Sequence, residues 1–306
     1  MCRSARFGLG TVAFPGGNFK LAIISTEGLT YVYGEGTPFV KQAITDVNIN
    51  IEENRLYALI GHTGSGKSTL VQHLNGLVKP TAGKVFVDGE DIWAQPKKIR
   101  SVRFKVGLVF QYPEYQLFDE TVAKDIAFGP RNLGLADDEI KERVEWAAET
   151  VGLRRELLDK SPFDLSGGEK RRAAIAGVLA MKPKVLVLDE PTAGLDPMGR
   201  DRLLKSISDY RKNSSTTVIL VSHSMEDVAR IADRVIVMRG GRVTLEGDTR
   251  EVYSHRAELD EMGLAVPSVT RVMAALKLRG ADVPDNILTV AEARDAVLKL
   301  RKGGER

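Results

Sequence analysis

Short apolar runs alternate with longer amphipathic stretches along most of the chain. Runs rich in β-branched residues predict strands at 22–33, 43–51, 84–87, 106–110, 185–188, 217–221, 235–238 and 242–246. The run at 185–188 is fully apolar, which is typical of the buried centre of a parallel sheet. Arg239, Gly240 and Gly241 separate the last two runs, so we expect these runs to form a hairpin.

Apolar residues at helical spacing predict helices between these strands. Leu70, Val71, Leu74 and Leu77 share one face of a helix that we expect to end at Pro80. Further helices are predicted from Thr121 to about Phe128, from Asp137 to Gly152, over 170–180, around the stripe at 269–276, and after a capping box of Thr289 and Glu292. The order of elements is that of an α/β protein with a helical block between 111 and 166.

The composition is that of an ordinary globular protein. The 306 residues are 43% hydrophobic and 28% charged, and this length allows about two domains. A net charge of +3 is too small to indicate nucleic-acid binding, and a single cysteine excludes an internal disulfide. No apolar run approaches the roughly 18 residues that span a bilayer, so work at a membrane would require spans from another chain. Residues 1–20 are rich in glycine and small side chains, and we expect an extension there that is either poorly ordered or not part of the working protein.

The clearest chemical signal is the segment GHTGSGKST at 61–69, which we call the phosphate loop. A glycine, four free positions and Gly-Lys-Ser form a pattern that binds nucleotide phosphates. Lys67 can reach the β- and γ-phosphates, and the Ser68 hydroxyl can ligate Mg²⁺. An apolar run precedes the loop and a helix follows it, so a chance glycine loop is disfavoured. The candidate nucleotide-binding residues are Gly61, His62, Thr63, Gly64, Ser65, Gly66, Lys67, Ser68 and Thr69.

Polar residues that end apolar strands are candidates for chemistry. Asp189 and Glu190 follow the run at 185–188, and His223 follows the run at 217–221. A lone histidine is more often structural, but a position at a strand end favours a functional role. The carboxyl ends of parallel strands form the ligand-binding edge of an α/β sheet, so we expect these side chains near the phosphate loop.

Three other features allow two interpretations each. Tyr33, or less favourably Tyr31, either stacks on a nucleotide base or fills a sheet face. The segment LSGGE at 165–169 forms either an anion site at a helix N-terminus or an ordinary linker. The aromatic residues that follow Gln111 either anchor a partner helix or pack inside the helical block; these are Tyr112, Tyr115 and Phe118.

The ordered set of motifs resembles the nucleotide-binding subunit of ATP-binding cassette (ABC) transporters from about residue 23 to 249. The set is the phosphate loop, Gln111, LSGGE, VLVLDEP at 185–191, AGLD at 193–196 and His223. GHTGSGKSTLVQHLNGL, VFQYPEYQLF and LSGGEKRRAAIAGVLAM are closer still to the ATPases of energy-coupling factor (ECF) transporters, of the second type. The resemblance implies an α/β fold, an ABC-type P-loop NTPase core with an antiparallel β-subdomain. Its domain would cover 21–250, with a helical subdomain at about 112–165 and a C-terminal helical extension at 251–306.

The resemblance also implies a role for each motif residue. Tyr33 would stack on adenine, and the phosphate loop with Lys67 would hold the phosphates. Ser68 and Gln111 would ligate Mg²⁺, with Asp189 holding it through water. Glu190 would polarise the attacking water, and His223 would contact the γ-phosphate. Across a dimer, the partner's ATP would be contacted by Ser166, Gly167 and Gly168, with Asp196 lining the seam.

One position departs from the family pattern. Glu169 stands where the usual residue after LSGG is glutamine. A carboxylate turned toward the partner's nucleotide would repel it modestly, because both groups are negative.

The implied function is ATP hydrolysis that energises uptake of a micronutrient, a vitamin or a transition-metal ion. The implied cofactors are ATP and Mg²⁺, and the location is the cytoplasmic face of the cell membrane. The implied partners are a second ABC ATPase subunit (in a heterodimer or homodimer), a transmembrane coupling subunit and a substrate-binding membrane subunit, with no nucleic acid. The alternatives are a soluble ABC ATPase of DNA repair or translation, or a module that holds ATP without turnover. The intact pair of Glu190 and His223 argues against the last.

Overall fold

The described residues form two β-sheets flanked by helices. The computed structural model describes residues 22–284 and 286–303, so the extension predicted at 1–20 lies outside them. The strands are β1 (Ala22–Tyr33), β2 (Lys41–Val47), β3 (Asn50–Glu52), β4 (Leu56–Ile60), β5 (Ala82–Val87), β6 (Glu90–Asp91), β7 (Val106–Val109), β8 (Val185–Asp189), β9 (Thr217–Val221), β10 (Arg234–Arg239) and β11 (Arg242–Asp248). The helices are α1 (Lys67–Leu74), α2 (Ile99–Lys105), α3 (Val122–Asn132), α4 (Asp137–Thr150), α5 (Gly167–Leu179), α6 (Pro197–Ser214), α7 (Met225–Ile231), α8 (Thr249–Ser254), α9 (Arg256–Glu261), α10 (Ser268–Leu278) and α11 (Val290–Gly303).

The larger sheet brings the ends of its parallel strands to one edge. Its order is β11-β10-β4-β9-β8-β7, and β11 is the antiparallel partner of β10 in the predicted hairpin. Every residue of β4, β7, β8 and β9 is buried, as expected for strands covered on both faces. The register pairs Val221 with both Leu59 and Asp189. The residues that follow β4, β8 and β9 are therefore neighbours in space.

The smaller sheet is antiparallel, with the order β2-β1-β5-β6 and β3 paired to β1. Its apolar face packs on α1 through a cluster that includes Ile24, Ile44 and Leu70. The strand predicted at 43–51 is interrupted at residues 48–49, which divide it into β2 and β3; both parts pair antiparallel with β1. Asp46 has a left-handed backbone with φ 49°, and the Asn48 side chain donates to its carbonyl and carboxylate.

The helices form two groups around the larger sheet. One group includes α3, α4 and α5, which share a core with the buried side chains of β8. The other includes α8 and α9, which pack against β4 and β10. Helices α10 and α11 enclose a separate small cluster around Met273 and Ile287. No helix among residues 22–284 and 286–303 is both long and apolar enough to cross a membrane. The predicted fold class is confirmed.

Three helix boundaries differ from the sequence prediction. Helix α1 ends at Leu74, well before Pro80, because Gly76 has a left-handed backbone with φ 67°, a conformation that commonly ends helices. Helix α3 continues through Pro130. This proline removes one backbone hydrogen bond near the end of the helix, and burial of its ring offsets part of that cost. Helix α5 begins at Gly167 and not at 170, because the preceding serine and Glu169 close its first turn.

Candidate nucleotide-binding site

The phosphate loop joins β4 to α1 and lies against neighbouring backbone. A Cβ on Gly61 would lie 2.3 Å from the Met238 carbonyl oxygen, and one on Gly66 would lie 2.8 Å from the Ala43 carbonyl oxygen. Both glycines also have positive φ angles, 150° and 104°. Any other residue at these two positions would displace the loop from β10 or β2.

The turn between β10 and β11 supports the outer side of the loop. The backbone N–H of Gly241 donates to the Ser65 carbonyl at 3.0 Å, and its own carbonyl accepts from Thr45 at 2.8 Å. The Ser65 hydroxyl is buried and has no hydrogen-bond partner among the described residues. A buried donor without a partner is costly, so this hydroxyl suits a ligand that enters the loop.

Lys67 places its ammonium inside the loop. It donates to the carbonyls of Gly61 at 2.6 Å and His62 at 2.9 Å. Burial lowers the pKa of Lys67, and the negative charges of Glu190 and Asp189 oppose this shift. The ammonium therefore lies between the loop backbone and two carboxylates, where it can counter phosphate charge.

Asp189 ends β8 beside the first turn of α1. Its carboxylate is buried, which raises its pKa, while a hydrogen bond from Ser68 and the charge of Lys67 lower it. Gln111 is exposed two residues past Val109, which pairs with Leu188. These three residues offer hydroxyl, carboxylate and amide oxygens, the ligand types that Mg²⁺ prefers. The residues present therefore fit a Mg²⁺ ion.

Glu190 and His223 form a pair at the same edge. Glu190 Oε2 lies 2.8 Å from Nδ1 of His223, whose side chain is largely exposed. Glu190 is 8% exposed, and burial raises its pKa while the bond to His223 lowers it. Its backbone has φ 50°, a conformation that costs on the order of 1–3 kcal/mol for a residue other than glycine. A partly buried carboxylate with a raised pKa suits a general base.

The two candidate tyrosines differ in exposure. Tyr33 is 40% exposed, and its hydroxyl lies 3.2 Å from Oγ1 of Thr69 in the phosphate loop. Tyr31 is partly buried and packs edge-on against both Tyr33 and His73. Tyr33 is therefore the ring available beside the loop.

The residues expected to act across a dimer lie outside this cluster. Ser166 precedes α5, Gly167 and Gly168 form its first turn, and Asp196 caps α6 by accepting from the Gly199 N–H at 2.7 Å. These hydrogen bonds are local, so the structure does not join these residues to the phosphate loop of their own chain.

Glu169 is held at the start of α5. Its Oε2 accepts from the Ser166 hydroxyl at 2.7 Å and N–H at 3.0 Å, and its Oε1 accepts from Arg154 at 3.1 Å. The Ser166 hydrogen bonds, with help from Arg154, lower the pKa of Glu169 to about 2. The carboxylate is thus engaged with its own helix and with Arg154.

One further cluster of interacting residues, centred on Arg171, could hardly be predicted from the sequence. Arg171, on the buried face of α5, bonds Glu114 and the carbonyls of Pro191 and Ala193. This guanidinium connects the turn after Gln111 with the segment after Glu190. The basic run in which Arg171 stands resembles a solvated face, and its partners are distant in sequence.

Two solved structures are similar to this chain over most of its length. The structure of cbiO1 from Clostridium perfringens, part of the ABC transporter complex cbiONQ, is 40% identical with a TM-score of 0.70, covering 83% of this chain and 99% of that one. A dimeric ATP-binding cassette in a post-hydrolysis state, bound to ADP and Pi, is 26% identical with a TM-score of 0.67, covering 74% and 98%. A family model described as ABC transporter matches residues 44–193. The fold is that of an ABC-type ATPase.

Curated relatives narrow the class. The energy-coupling factor transporter ATP-binding protein EcfA2 of Caldanaerobacter subterraneus subsp. tengcongensis is 52% identical over 280 residues, 92% of this chain and 98% of its own length. The EcfA2 protein of Clostridium tetani is 55% identical over 278 residues, 90% of this chain and 96% of its own length. The chain belongs to the energy-coupling factor transporter ATP-binding proteins of the EcfA2 type. It is an ATP-binding and ATP-hydrolysing subunit of a multi-subunit transporter, so the predicted transport function is confirmed over the soluble alternatives.

Proposed function

We propose that the cluster around the phosphate loop is the hydrolytic half-site and that Glu190 is its general base. The supporting observation is the contact between Glu190 and His223 at the carboxyl end of adjacent strands. Glu190 would accept a proton from the attacking water, and His223 would hold that carboxylate and contact the γ-phosphate. Tyr33 would stack on adenine, while Lys67 and the loop backbone would bind the phosphates.

We assign the metal position to Ser68, Gln111 and Asp189. Bound Mg²⁺ would offset phosphate charge as it develops during hydrolysis. The Ser68 hydroxyl already bonds Asp189, so both oxygens face one point beside the loop. Asp189 would contribute through its negative charge, in keeping with its buried position.

The second half of the site would come from a partner ATPase. Ser166, Gly167 and Gly168 lie at a helix N-terminus, which favours anions, and Asp196 begins another helix. The Ser166 hydroxyl donates its one hydrogen to Glu169. It can donate to a phosphate after it turns away from Glu169, and until then it can accept hydrogen bonds. The backbone N–H groups of the first turn would therefore make the first contacts.

We propose that the complex holds a second ATPase subunit of like or different sequence, a transmembrane coupling subunit and a substrate-binding membrane subunit. This chain would attach at the cytoplasmic face of the cell membrane, and the complex would import a vitamin or a transition-metal ion. The names of the relatives support such an assembly. We also propose the divisions at 21–250 and 251–306, with a helical part near 112–165.

Lys67→Ala tests the phosphate-loop assignment. The variant should lose ATP hydrolysis and bind a fluorescent ATP analogue much more weakly, because the loop loses its full positive charge. Lys79→Ala, which removes an exposed lysine beyond α1, is the matched control and should retain both properties. Unchanged binding and hydrolysis in Lys67→Ala would disprove the assignment.

A further inference from the structure

The imidazole of His62, in the phosphate loop, lies against the backbone of Gly263. A Cβ built on Gly263 would lie 2.7 Å from Nε2 of His62 and 3.1 Å from its Cε1. Side chains do not approach so closely, so the ring occupies the space that any side chain at 263 would need. His62 is an exposed residue. The contact joins the second residue of the loop to the segment between α9 and α10.

Gly263 is fixed in that place by the end of α9. Its N–H donates to the Asp260 carbonyl at 2.8 Å, and the N–H of Leu264 donates to the Leu259 carbonyl at 2.8 Å. Gly263 has φ 65°, a left-handed conformation that commonly ends helices. Its position is therefore determined by the helix and not by a mobile loop.

The same segment is anchored to the strand that leads into the loop. Leu264 and Val266 are buried in one cluster with Ala58 and Ile60 of β4. Met262 belongs to this cluster too, and its sulfur lies 3.4 Å from the Thr244 hydroxyl oxygen. Between this segment and the outer side of the phosphate loop lies a cavity of about 130 Å³. We call α8 to α11 the C-terminal helices. Through α9 and the segment that follows it, they contact both β4 and the phosphate loop.

His62 is also part of the phosphate-binding geometry through its backbone. Its carbonyl accepts from the Lys67 ammonium at 2.9 Å and from the Ser65 N–H at 3.1 Å. Pressure from Gly263 on the ring can be relieved in two ways: the imidazole can rotate about its own side-chain bonds, or the His62 backbone can shift. Only a backbone shift moves this carbonyl and the ammonium that faces the phosphates, and the proposal below requires it.

We propose that His62 is a positioning residue that ties ATP affinity to the position of the C-terminal helices, through its contact with Gly263. A shift of α9 toward the loop would press on the ring and weaken phosphate binding. Contacts that the C-terminal helices make with another chain would thereby reach the nucleotide. The proposal rests on the phosphate-binding role of the loop given above.

The test is a pair of substitutions in the full chain, read out by the dissociation constant for a fluorescent ATP analogue. Gly263→Ala brings a Cβ against His62 and should weaken binding roughly fivefold or more, as contacting residues commonly couple by that much. Gly280→Ala is the matched control, because Gly280 has φ 87° and nothing within 4 Å of its Cβ position. It carries the same backbone strain without the contact and should bind within about twofold of the wild type.

The double variant His62→Ala with Gly263→Ala separates the contact from general damage. Removal of the ring should cancel the effect, so the double variant should bind as tightly as His62→Ala alone. If Gly263→Ala folds poorly, Gly263→Asn replaces it, because asparagine tolerates a left-handed backbone and still brings a Cβ. Gly280→Asn is then the control.

Three results would overturn the proposal. The first is a wild-type dissociation constant in the Gly263 variants. The second is equal weakening of binding in the Gly280 variants. The third is a double variant whose loss of affinity equals the product of the losses in the two single variants. A loss that reflects misfolding would lower the fraction of binding-competent protein and leave the dissociation constant unchanged. Lys67→Ala, measured in parallel, distinguishes failure of this inference from failure of the loop assignment.

Discussion

Arg171 and Glu114 form a bidentate ion pair between α5 and the turn that follows β7. Nη2 of Arg171 lies 2.9 Å from Oε1 of Glu114, and Nε lies 3.2 Å from Oε2. The other guanidinium nitrogen donates to the carbonyls of Pro191 at 3.3 Å and of Ala193. A displacement of the turn that contains Glu114 would therefore also displace the segment that begins at Glu190, because Arg171 bonds both.

Glu114→Gln should destabilise the protein through this ion pair. The Arg171 side chain is 5% exposed, so the loss of its carboxylate partner leaves a buried charge poorly compensated. We expect the free energy of unfolding to fall by about 1.5–3 kcal/mol, the range for hydrogen bonds to charged groups. Chemical denaturation measures this change.

The control for this measurement is Glu120→Gln. Glu120 pairs with Lys124 on the surface and its side chain is 80% exposed, so the loss of stability should be much smaller than in Glu114→Gln. Equal losses in the two variants would show that the buried ion pair stabilises the protein no more than the surface ion pair does.

Tyr115→Ala tests whether the aromatic residues after Gln111 dock a membrane partner. Tyr115 is 85% exposed, and Tyr112 and Phe118 are also exposed, which disfavours packing inside the helical block. The variant should keep its melting temperature and ATP binding but co-purify poorly with the transmembrane subunit. Tyr210→Ala is the comparison, because Tyr210 is a core residue that is 4% exposed, and this variant should have a lower melting temperature. A large drop in melting temperature for Tyr115→Ala would contradict docking.

Glu169→Gln should have a stability effect that depends on pH. The pKa of Glu169 in the folded protein is about 2, below its ordinary value of 4.5. The ionised carboxylate therefore contributes its full stabilisation of the folded state at pH values above 4.5. This contribution is lost as pH falls from 4.5 toward 2. At neutral pH the variant should be less stable by about 0.3–1 kcal/mol, since a helix N-terminus loses a negative charge. Melting curves across pH check this, and a difference that grows below pH 4 would contradict it.

The sequence predicts those parts of the site that are contiguous or end a strand. The phosphate loop is local, and Asp189 and His223 come together because parallel strands end at one edge. The contacts of Arg171 with Glu114 and of His62 with Gly263 join distant segments, and tertiary packing alone decides them. The end of α3 followed the same rule, because burial of Pro130 outweighed the local signal of a proline, whereas the boundaries of α1 and α5 have local causes.

The pH dependence of hydrolysis should report the Glu190 carboxylate. A base must be deprotonated, and burial raises the pKa of Glu190, so activity should fall on acidification at a higher pH than an ordinary glutamate would give. The hydrogen bond and charge of His223 lower this pKa. His223→Ala should therefore move the acid limb of kcat/KM to still higher pH.

The position of the acid limb, not the residual rate, is the relevant readout for His223→Ala. His255→Ala is the control, because His255 pairs with Glu258 on the surface. An acid limb that stays in place or moves to lower pH in His223→Ala would show that the pair does not set the pKa of Glu190.

Glu190→Gln tests the central claim, that this carboxylate is the base of a site completed by a partner ATPase. The variant should bind ATP normally and hydrolyse it roughly 10²–10⁴-fold more slowly, because base assistance is lost. Since ATP would persist between the subunits, size-exclusion chromatography with the partner ATPase and ATP-Mg²⁺ should show a stable dimer. Hydrolysis at the wild-type rate with no ATP-dependent shift to dimer would contradict the account.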